Sequence, residues 1–184
     1  RPETEFWTEK AIRELVAPVD ILDIFAGSGC VGVAVLQYVP NVAVDFAEKG
    51  KKFLKQIEIN AKLNKIQLSR YRVIQSDIFS KVKEKYDYIL ANPPYVAESR
   101  KVKVQKSVLE QEPRNAVFGG RDGLKYIKPF LREARDYLKE DGQIWMEFDS
   151  PQKKDIEKLL RDFWYTSWKF YRDQYNKWRY VVVK

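Results

Sequence analysis

The chain has 184 residues, a net charge of +8, a pI of about 9.4 and a mean hydropathy of −0.52, with 45% hydrophobic residues. These values are typical of one soluble globular domain with a full core, and its apolar runs are too short to cross a bilayer. One cysteine excludes an intrachain disulfide framework, and the lack of histidine excludes a Ser-His-Asp triad, a Cys-His dyad and a histidine-ligated metal.

Apolar strand-like runs alternate with helix-like segments, which predicts a parallel sheet with right-handed crossovers and helices on both faces. The predicted strands are Val19–Phe25, Val42–Phe46, Tyr71–Ser76, Tyr86–Ala91, Gln143–Phe148, Ser167–Arg172 and Arg179–Val183. The predicted helices are Cys30–Tyr38, Ala47–Asn64, Leu124–Leu138, with Glu140-Asp141-Gly142 as its C-cap, and Ser150–Phe163. Because the last two strands are joined by a short connection, they must form an antiparallel hairpin. We therefore expect an α/β fold with a mostly parallel seven-stranded sheet.

The first predicted strand runs into a glycine-containing turn, Asp23-Ile24-Phe25-Ala26-Gly27-Ser28-Gly29, and a helix follows. Glycines in such a turn let the backbone approach a ligand closely. The helix start adds N–H donors and a positive dipole end for anionic groups. The turn therefore supplies these candidate cofactor-binding residues: Asp23, Phe25, Ala26, Gly27, Ser28 and Gly29.

Acidic side chains are predicted at the ends of the next two strands. Asp45 follows Gly29 by sixteen residues and is expected to accept hydrogen bonds from both hydroxyls of a ribose. Asp77 is placed to accept a bond from an exocyclic amine, and Ile78 and Phe79 are placed to flank an aromatic base. Together these groups predict a nucleoside cofactor. They fit S-adenosylmethionine better than NAD, because the glycine turn is too short for the full dinucleotide spacing.

The tetrapeptide Asn92-Pro93-Pro94-Tyr95 directly follows the predicted strand Tyr86–Ala91. Two prolines cannot continue a central strand, so a rigid loop must hold the amide and the aromatic ring beyond the strand's carboxyl end. Ligands of open α/β sheets bind at that end. We interpret all four residues as catalytic and substrate-binding residues that hold a planar amide or amine. A rigid strand exit with a capping asparagine is the alternative.

The segment Ala97–Asp122 lacks periodicity and is rich in Lys, Arg, Glu and Gln. Insertions of this length are usually functional loops or disordered ones. Because the segment follows the tetrapeptide, we interpret it as a loop that covers the substrate, with a solvated excursion as the alternative.

With these motifs in this order, the chain resembles the class I S-adenosylmethionine-dependent methyltransferases, whose Rossmann-like seven-stranded sheet ends in such a hairpin. Two segments resemble the HemK-type family within this class: Arg1-Pro2-Glu3-Thr4-Glu5, which opens its catalytic domain, and Glu112-Pro113-Arg114-Asn115-Ala116-Val117-Phe118-Gly119-Gly120-Arg121-Asp122-Gly123-Leu124. The resemblance implies that residues 1–184 form a catalytic domain, without the family's N-terminal helical domain for substrate binding. It also implies methylation of the glutamine amide in the Gly-Gly-Gln motif of peptide-chain release factors.

The resemblance also implies roles for individual residues. Phe25 to Gly29 would contact the methionine part of the cofactor, and Asp45 its ribose. Asp77 and Ile78 would border the adenine. Asn92 would touch both cofactor and substrate, and Asn92 to Tyr95 would grip the substrate glutamine. S-adenosylhomocysteine would be the product, and no metal is implied.

The amide nitrogen of glutamine is a poor nucleophile because its lone pair is delocalised into the carbonyl. We expect the Asn92 side-chain oxygen and the Pro93 carbonyl to accept its two N–H bonds, and Tyr95 to pack against the amide plane and exclude water. Catalysis would then rest on positioning and electrostatics, for which histidine is not needed.

Three residues depart from the family pattern. Phe25 stands where the family usually has glycine, which predicts a differently shaped cofactor turn. Asp149 and Asn176 also replace glycines, and asparagine tolerates left-handed geometry.

Two other functions are compatible with the motifs. The first is an amino-methyltransferase acting on adenine or guanine in DNA or ribosomal RNA, because the exocyclic amine of a base must be held in the same geometry as a planar amide. The basic charge of the chain favours contact with RNA or the ribosome. The second alternative is a cofactor-binding scaffold without activity. Under the main interpretation the partner is a release factor, and the protein is expected to be cytoplasmic with no membrane contact.

Overall fold

The computed structural model describes residues 1–103 and 117–184. The strands are β1 Val19–Ile24, β2 Val42–Glu48, β3 Tyr71–Gln75, β4 Tyr86–Ala91, β5 Leu138–Glu147, β6 Trp168–Arg172 and β7 Trp178–Val183. They form one seven-stranded sheet in the order β3-β2-β1-β4-β5-β7-β6. Strands β1 to β5 pair in parallel, and β7 runs antiparallel to β5 and β6. The predicted fold class and the C-terminal hairpin are confirmed.

The described ranges contain the α-helices α1 Pro2–Glu14, α2 Cys30–Tyr38, α3 Lys51–Leu63, α4 Ile127–Glu133 and α5 Lys153–Asp162. Short 3₁₀ turns occur at Leu68–Arg70, Glu98–Lys103, Ala134–Tyr137 and Ser150–Gln152. None of the helices in these ranges has the length and apolar character needed to cross a membrane.

The two faces of the sheet carry separate apolar cores. Alternate residues of a strand point to opposite faces, so Ile21 packs with α1, α2 and α3, and Leu22 packs with α4 and α5. Trp7 of α1 is buried in the first core and Phe130 of α4 in the second. Because the central strands are buried on both faces, their sequences are nearly continuous apolar runs.

Helix α1 was not predicted from the sequence. It begins at Pro2, which fits the first turn of a helix because proline has no N–H to donate there. Its buried residues are Thr4, Trp7, Thr8 and Ala11, so half of its inward face is polar. Helix α1 covers one face of the sheet and buries these hydroxyls against it.

The predicted helix Leu124–Leu138 is longer than the observed α4, and a 3₁₀ turn follows α4. The expected C-cap at Glu140-Asp141-Gly142 is wrong. Leu138 already pairs with Tyr86 at the start of β5, so the three residues lie inside that strand. They form an irregularity in the pairing, after which Gln143 pairs with Tyr88.

Between β3 and β4, residues 76–85 form turns and no helix. The face of β2 and β3 on the side of α4 therefore carries a groove near the start of the strands, lined by Ala43, Asp45, Arg72, Glu84 and Tyr86 among others. This groove lies away from the carboxyl edge, which is the end of the sheet where the parallel strands finish.

Candidate active site

Three residues lie side by side at the carboxyl edge. The last residue of β1 pairs with Ala47 of β2 and with Ala91 of β4. The residues that follow these pairs are Phe25, Glu48 and Asn92. Neighbouring strands are about 4.8 Å apart, so the glycine turn, the end of β2 and the tetrapeptide share one small region.

The turn between β1 and α2 has left-handed backbone at three residues. The φ angle is 58° at Phe25, 54° at Gly27 and 77° at Gly29. The Gly29 amide donates to the Ala26 carbonyl at 2.7 Å, which closes the turn. A β-carbon on Gly29 would lie 3.1 Å from the Ile57 side chain, so glycine allows α3 to pack directly on the turn.

Backbone bonds tie the turn to the elements beside it. The Ala26 amide donates to the Ala47 carbonyl at 3.3 Å, and the Ser28 carbonyl accepts from the Asn60 side chain at 2.8 Å. The predicted turn residues are therefore held together at the carboxyl edge, as the motif indicates.

Glu48 occupies the position that was expected for Asp45. It ends β2, and both of its carboxylate oxygens are held by backbone amides, that of Gly27 at 2.9 Å and that of Gly50 at 2.7 Å. The sequence-based prediction missed Glu48, although the apolar residues Phe46 and Ala47 could have indicated it, because they extend the strand two residues beyond Asp45.

Asp45 is placed wrongly in the sequence-based prediction. It lies in the middle of β2 and accepts hydrogen bonds from the Arg72 guanidinium, at 2.8 Å from Nε, and from the Tyr86 hydroxyl, at 2.7 Å. Burial raises the pKa of Tyr86, and its hydrogen bond to Asp45 raises it further. This polar cluster borders the groove described above and not the carboxyl edge.

Asp23 is at the predicted place in β1, but its carboxylate points into the protein. It is 2% exposed and accepts a hydrogen bond from the Gly32 amide of α2 at 2.8 Å. Burial raises its pKa to about 8; the Gly32 bond opposes this shift and the charge of Glu48 adds to it. Asp23 therefore supports the turn from within and does not line the surface that a cofactor would contact.

Asp77 and Ile78 lie just beyond β3, at the carboxyl edge as predicted. The Asp77 side chain is 54% exposed and forms an ion pair with Lys49, Nζ to Oδ2, at 2.7 Å. Ile78 is half-buried with a φ of 51°. The expectation that Phe79 flanks a base is wrong, because Phe79 is fully buried between Phe130 and Tyr137.

The tetrapeptide leaves β4 as predicted. Asn92 and Pro94 are half-buried, and Pro93 is buried. Asn92 donates from Nδ2 to Oγ1 of Thr4 at 3.3 Å. Tyr95 is only 7% exposed, so its ring lies mostly inside the protein and not against the open cleft where contact with a substrate amide was expected.

A buried carboxylate, Glu147, links the tetrapeptide to α1. Glu147 ends β5 and is 0% exposed. Its Oε1 accepts from the Tyr95 hydroxyl at 2.6 Å, and its Oε2 accepts from Thr4 Oγ1 at 2.7 Å and from Trp7 Nε1 at 2.6 Å. Burial and the charge of Glu147 raise the pKa of Tyr95 well above its usual value, so the phenol stays protonated. Glu147 was not a predicted site residue, and no local sequence pattern marks it.

The segment 117–123 runs along the tetrapeptide loop. Val96 pairs with Phe118, and the Glu98 amide donates to the Gly120 carbonyl at 2.9 Å. A β-carbon on Gly119 would lie 2.5 Å from the Pro94 carbonyl oxygen. This contact supports the tetrapeptide from outside. The rest of the expected substrate-covering loop, residues 104–116, and the start of the Glu112–Leu124 motif lie outside the described residues.

The three departures from the family pattern have different structural outcomes. The left-handed Phe25 packs its ring edge-on against Phe130, with ring centroids 5.8 Å apart. Asn176 has a φ of 61°, the left-handed conformation that asparagine tolerates. Asp149 has ordinary extended backbone, and its side chain forms a capping box with Gln152 and an ion pair with Arg100.

This sheet order, with a glycine turn, an acidic strand end and an asparagine together at one edge, is the architecture of a methyltransferase. A 16S rRNA methyltransferase from T. thermophilus, in complex with AdoMet and guanosine, superposes with a TM-score of 0.72. The two are 15% identical, and the match covers 100% of this chain and 43% of that chain, so the likeness shows the fold. Residues 10–175 match the family described as methyltransferase small domain, and the chain belongs to this family.

Two curated relatives match the whole chain. The release factor glutamine methyltransferase of Streptococcus pneumoniae is 34% identical over 185 residues, which cover 100% of this chain and 65% of that protein. The release factor glutamine methyltransferase of Fusobacterium nucleatum subsp. nucleatum is 32% identical over 189 residues, covering 100% of this chain and 52% of that protein. The resemblance inferred from the motifs is confirmed. The chain spans between half and two thirds of the length of these relatives.

Proposed function

We propose that the protein transfers a methyl group from S-adenosylmethionine to the side-chain amide of a glutamine, the one in the Gly-Gly-Gln motif of a peptide-chain release factor. The observation that carries this proposal is the position of Asn92, which is half-buried and directly follows β4, beside the glycine turn and Glu48. The names of the two curated relatives support the substrate class.

The residues at the carboxyl edge fit a nucleoside cofactor. Each carboxylate oxygen of Glu48 has two lone pairs and accepts one backbone bond, so the hydroxyls of a ribose can still bind. Asp77 and Ile78 are placed to border the adenine. The left-handed turn from Phe25 to Gly29 allows the backbone to approach the methionine part of the cofactor closely. S-adenosylmethionine supplies an electrophilic methyl group when bound.

Asn92 and Pro93 would orient the substrate. The Asn92 Oδ1 atom and the Pro93 carbonyl accept the two N–H bonds of the glutamine amide, which directs its nitrogen towards the methyl donor and favours charge development there. Tyr95 has a different role from the one first expected. Its hydroxyl is bound to Glu147, so it holds the proline loop from inside.

Glu48, and not Asp45, is expected to bind the ribose. In Glu48→Gln, the new amide NH₂ group would face one of the two backbone N–H donors, and the remaining oxygen would be a weaker acceptor for the ribose hydroxyls. The Kd for S-adenosylmethionine should therefore rise at least about tenfold. Isothermal titration calorimetry measures this directly. Asp45→Asn is the matched control because it makes the same change within the same strand, and it should leave the Kd within about threefold. A larger effect at Asp45 than at Glu48 would reverse the assignment.

The substrate is tested by offering labelled S-adenosylmethionine with a release factor, with the same release factor lacking the Gly-Gly-Gln glutamine, and with ribosomal RNA. We expect label on the first only, and mass spectrometry of the digested release factor should place it on that glutamine. Label on RNA would support a nucleic-acid amino-methyltransferase. Cofactor binding without transfer to any of the three would support a scaffold.

A further inference from the structure

The side chain of Thr4 connects helix α1 to the candidate active site. Thr4 lies in the first turn of α1 and is buried. Its Oγ1 is 3.3 Å from Nδ2 of Asn92, a residue 88 positions later in the chain. The Thr4 hydroxyl thus contacts the side-chain amide that binds the substrate in the proposed function.

Glu147 determines the direction of that hydrogen bond. The indole N–H of Trp7 can only donate, and it donates to Oε2 of Glu147, so this oxygen is an acceptor. Thr4 places its one proton on the same oxygen at 2.7 Å. The Thr4 oxygen then has only lone pairs for Asn92. The part of the Asn92 amide next to it must be the NH₂ group, and Oδ1 must face away from α1.

We propose that Thr4 and Glu147 are positioning residues that fix the orientation of the Asn92 amide, so that Oδ1 is presented to the substrate as an acceptor. This inference rests on the proposed function, which uses Oδ1 to hold the N–H of a glutamine. Without the Thr4 hydroxyl, the amide can rotate about its last torsion and present NH₂ where an acceptor is needed.

The kinetic test compares Thr4→Val with Thr8→Val, using a release factor as substrate. Thr8 is also buried in α1, and its hydroxyl donates to the Thr4 carbonyl at 2.7 Å. Both variants replace one buried hydroxyl of the same helix with a methyl group, and a thermal unfolding curve of each shows whether the fold persists. We expect kcat for Thr4→Val to be at least about fivefold below that for Thr8→Val. We also expect Thr4→Ser, which keeps the hydroxyl, to restore it. A smaller gap between the two valine variants would overturn the inference.

A second measurement is independent of the substrate. In a ¹⁵N–¹H spectrum, the side-chain amide of Asn92 can be assigned by its loss in Asn92→Ala. Thr4→Val should shift this signal and Thr4→Ser should keep it, whereas an unshifted signal in Thr4→Val would overturn the inference. If wild-type protein methylates no glutamine but the signal responds to Thr4 as expected, the proposed substrate is wrong and the positioning of Asn92 stands.

Discussion

Asn92→Ala is expected to lower kcat for methyl transfer to a release factor by about 100-fold or more. The change removes the acceptor that would align the poorly nucleophilic glutamine nitrogen, and the rigid proline loop offers no other side chain in its place. Because Asn92 is half-buried and contributes little to either apolar core, the fold should persist. Steady-state kinetics at saturating cofactor, together with a thermal unfolding curve, measures both effects.

The matched control is Asn64→Ala, which removes the same side chain from an exposed position at the end of α3. Its kcat should equal that of the unmodified protein. A kcat for Asn92→Ala within about tenfold of this control would contradict the role given to the Asn92 amide.

Gly123→Ala is expected to destabilise the protein by roughly 3 kcal/mol or more. Gly123 has a φ of +81°, and a β-carbon there would lie 2.2 Å from the Tyr95 carbonyl oxygen. That oxygen already accepts a hydrogen bond from Gln152 at 2.9 Å, so it cannot move without breaking the bond. Urea unfolding followed by fluorescence gives the change in the free energy of unfolding.

Gly120→Ala separates the two causes. Gly120 has a similar φ of +82°, but among the described residues the atom nearest to its added β-carbon is Cβ of Lys125, at 3.3 Å, and no backbone atom is as close as the Tyr95 oxygen is to Gly123. This variant should lose only about 1–2 kcal/mol, the cost of a left-handed backbone for a residue with a β-carbon. If both variants lose the same free energy, the close approach of Gly123 to the tetrapeptide has no energetic importance.

The sequence was sufficient to predict seven strands along the chain, a mostly parallel sheet and the C-terminal hairpin. Strands buried on both faces must be apolar almost throughout, so each was visible as a short run bounded by turn residues. The error at β2 has a physical origin. Asp45 interrupts the apolar run and was placed near the end of the strand, whereas β2 continues to Glu48. An arginine and a tyrosine from the next two strands satisfy Asp45 within the sheet.

The glycine turn and the tetrapeptide were also predictable, because left-handed backbone and paired prolines leave local marks in a sequence. The support beneath them was not. Glu147 and Thr4 are 143 residues apart, and neither residue has a local pattern that indicates a partner. Helix α1 was missed for a related reason: two of its four buried residues are threonines, and one of them, Thr4, is satisfied in the interior by a distant carboxylate.

The hydrogen bonds at Glu147 have a consequence for biosynthesis. Helix α1 leaves the ribosome long before β5, so its threonine and tryptophan have no carboxylate to bind while most of the chain is being made. Contacts of such large sequence separation form late, after the loop between them is closed. We therefore expect helix α1 to be cleaved by proteases in a nascent chain that lacks β5, and to become resistant once β5 has emerged.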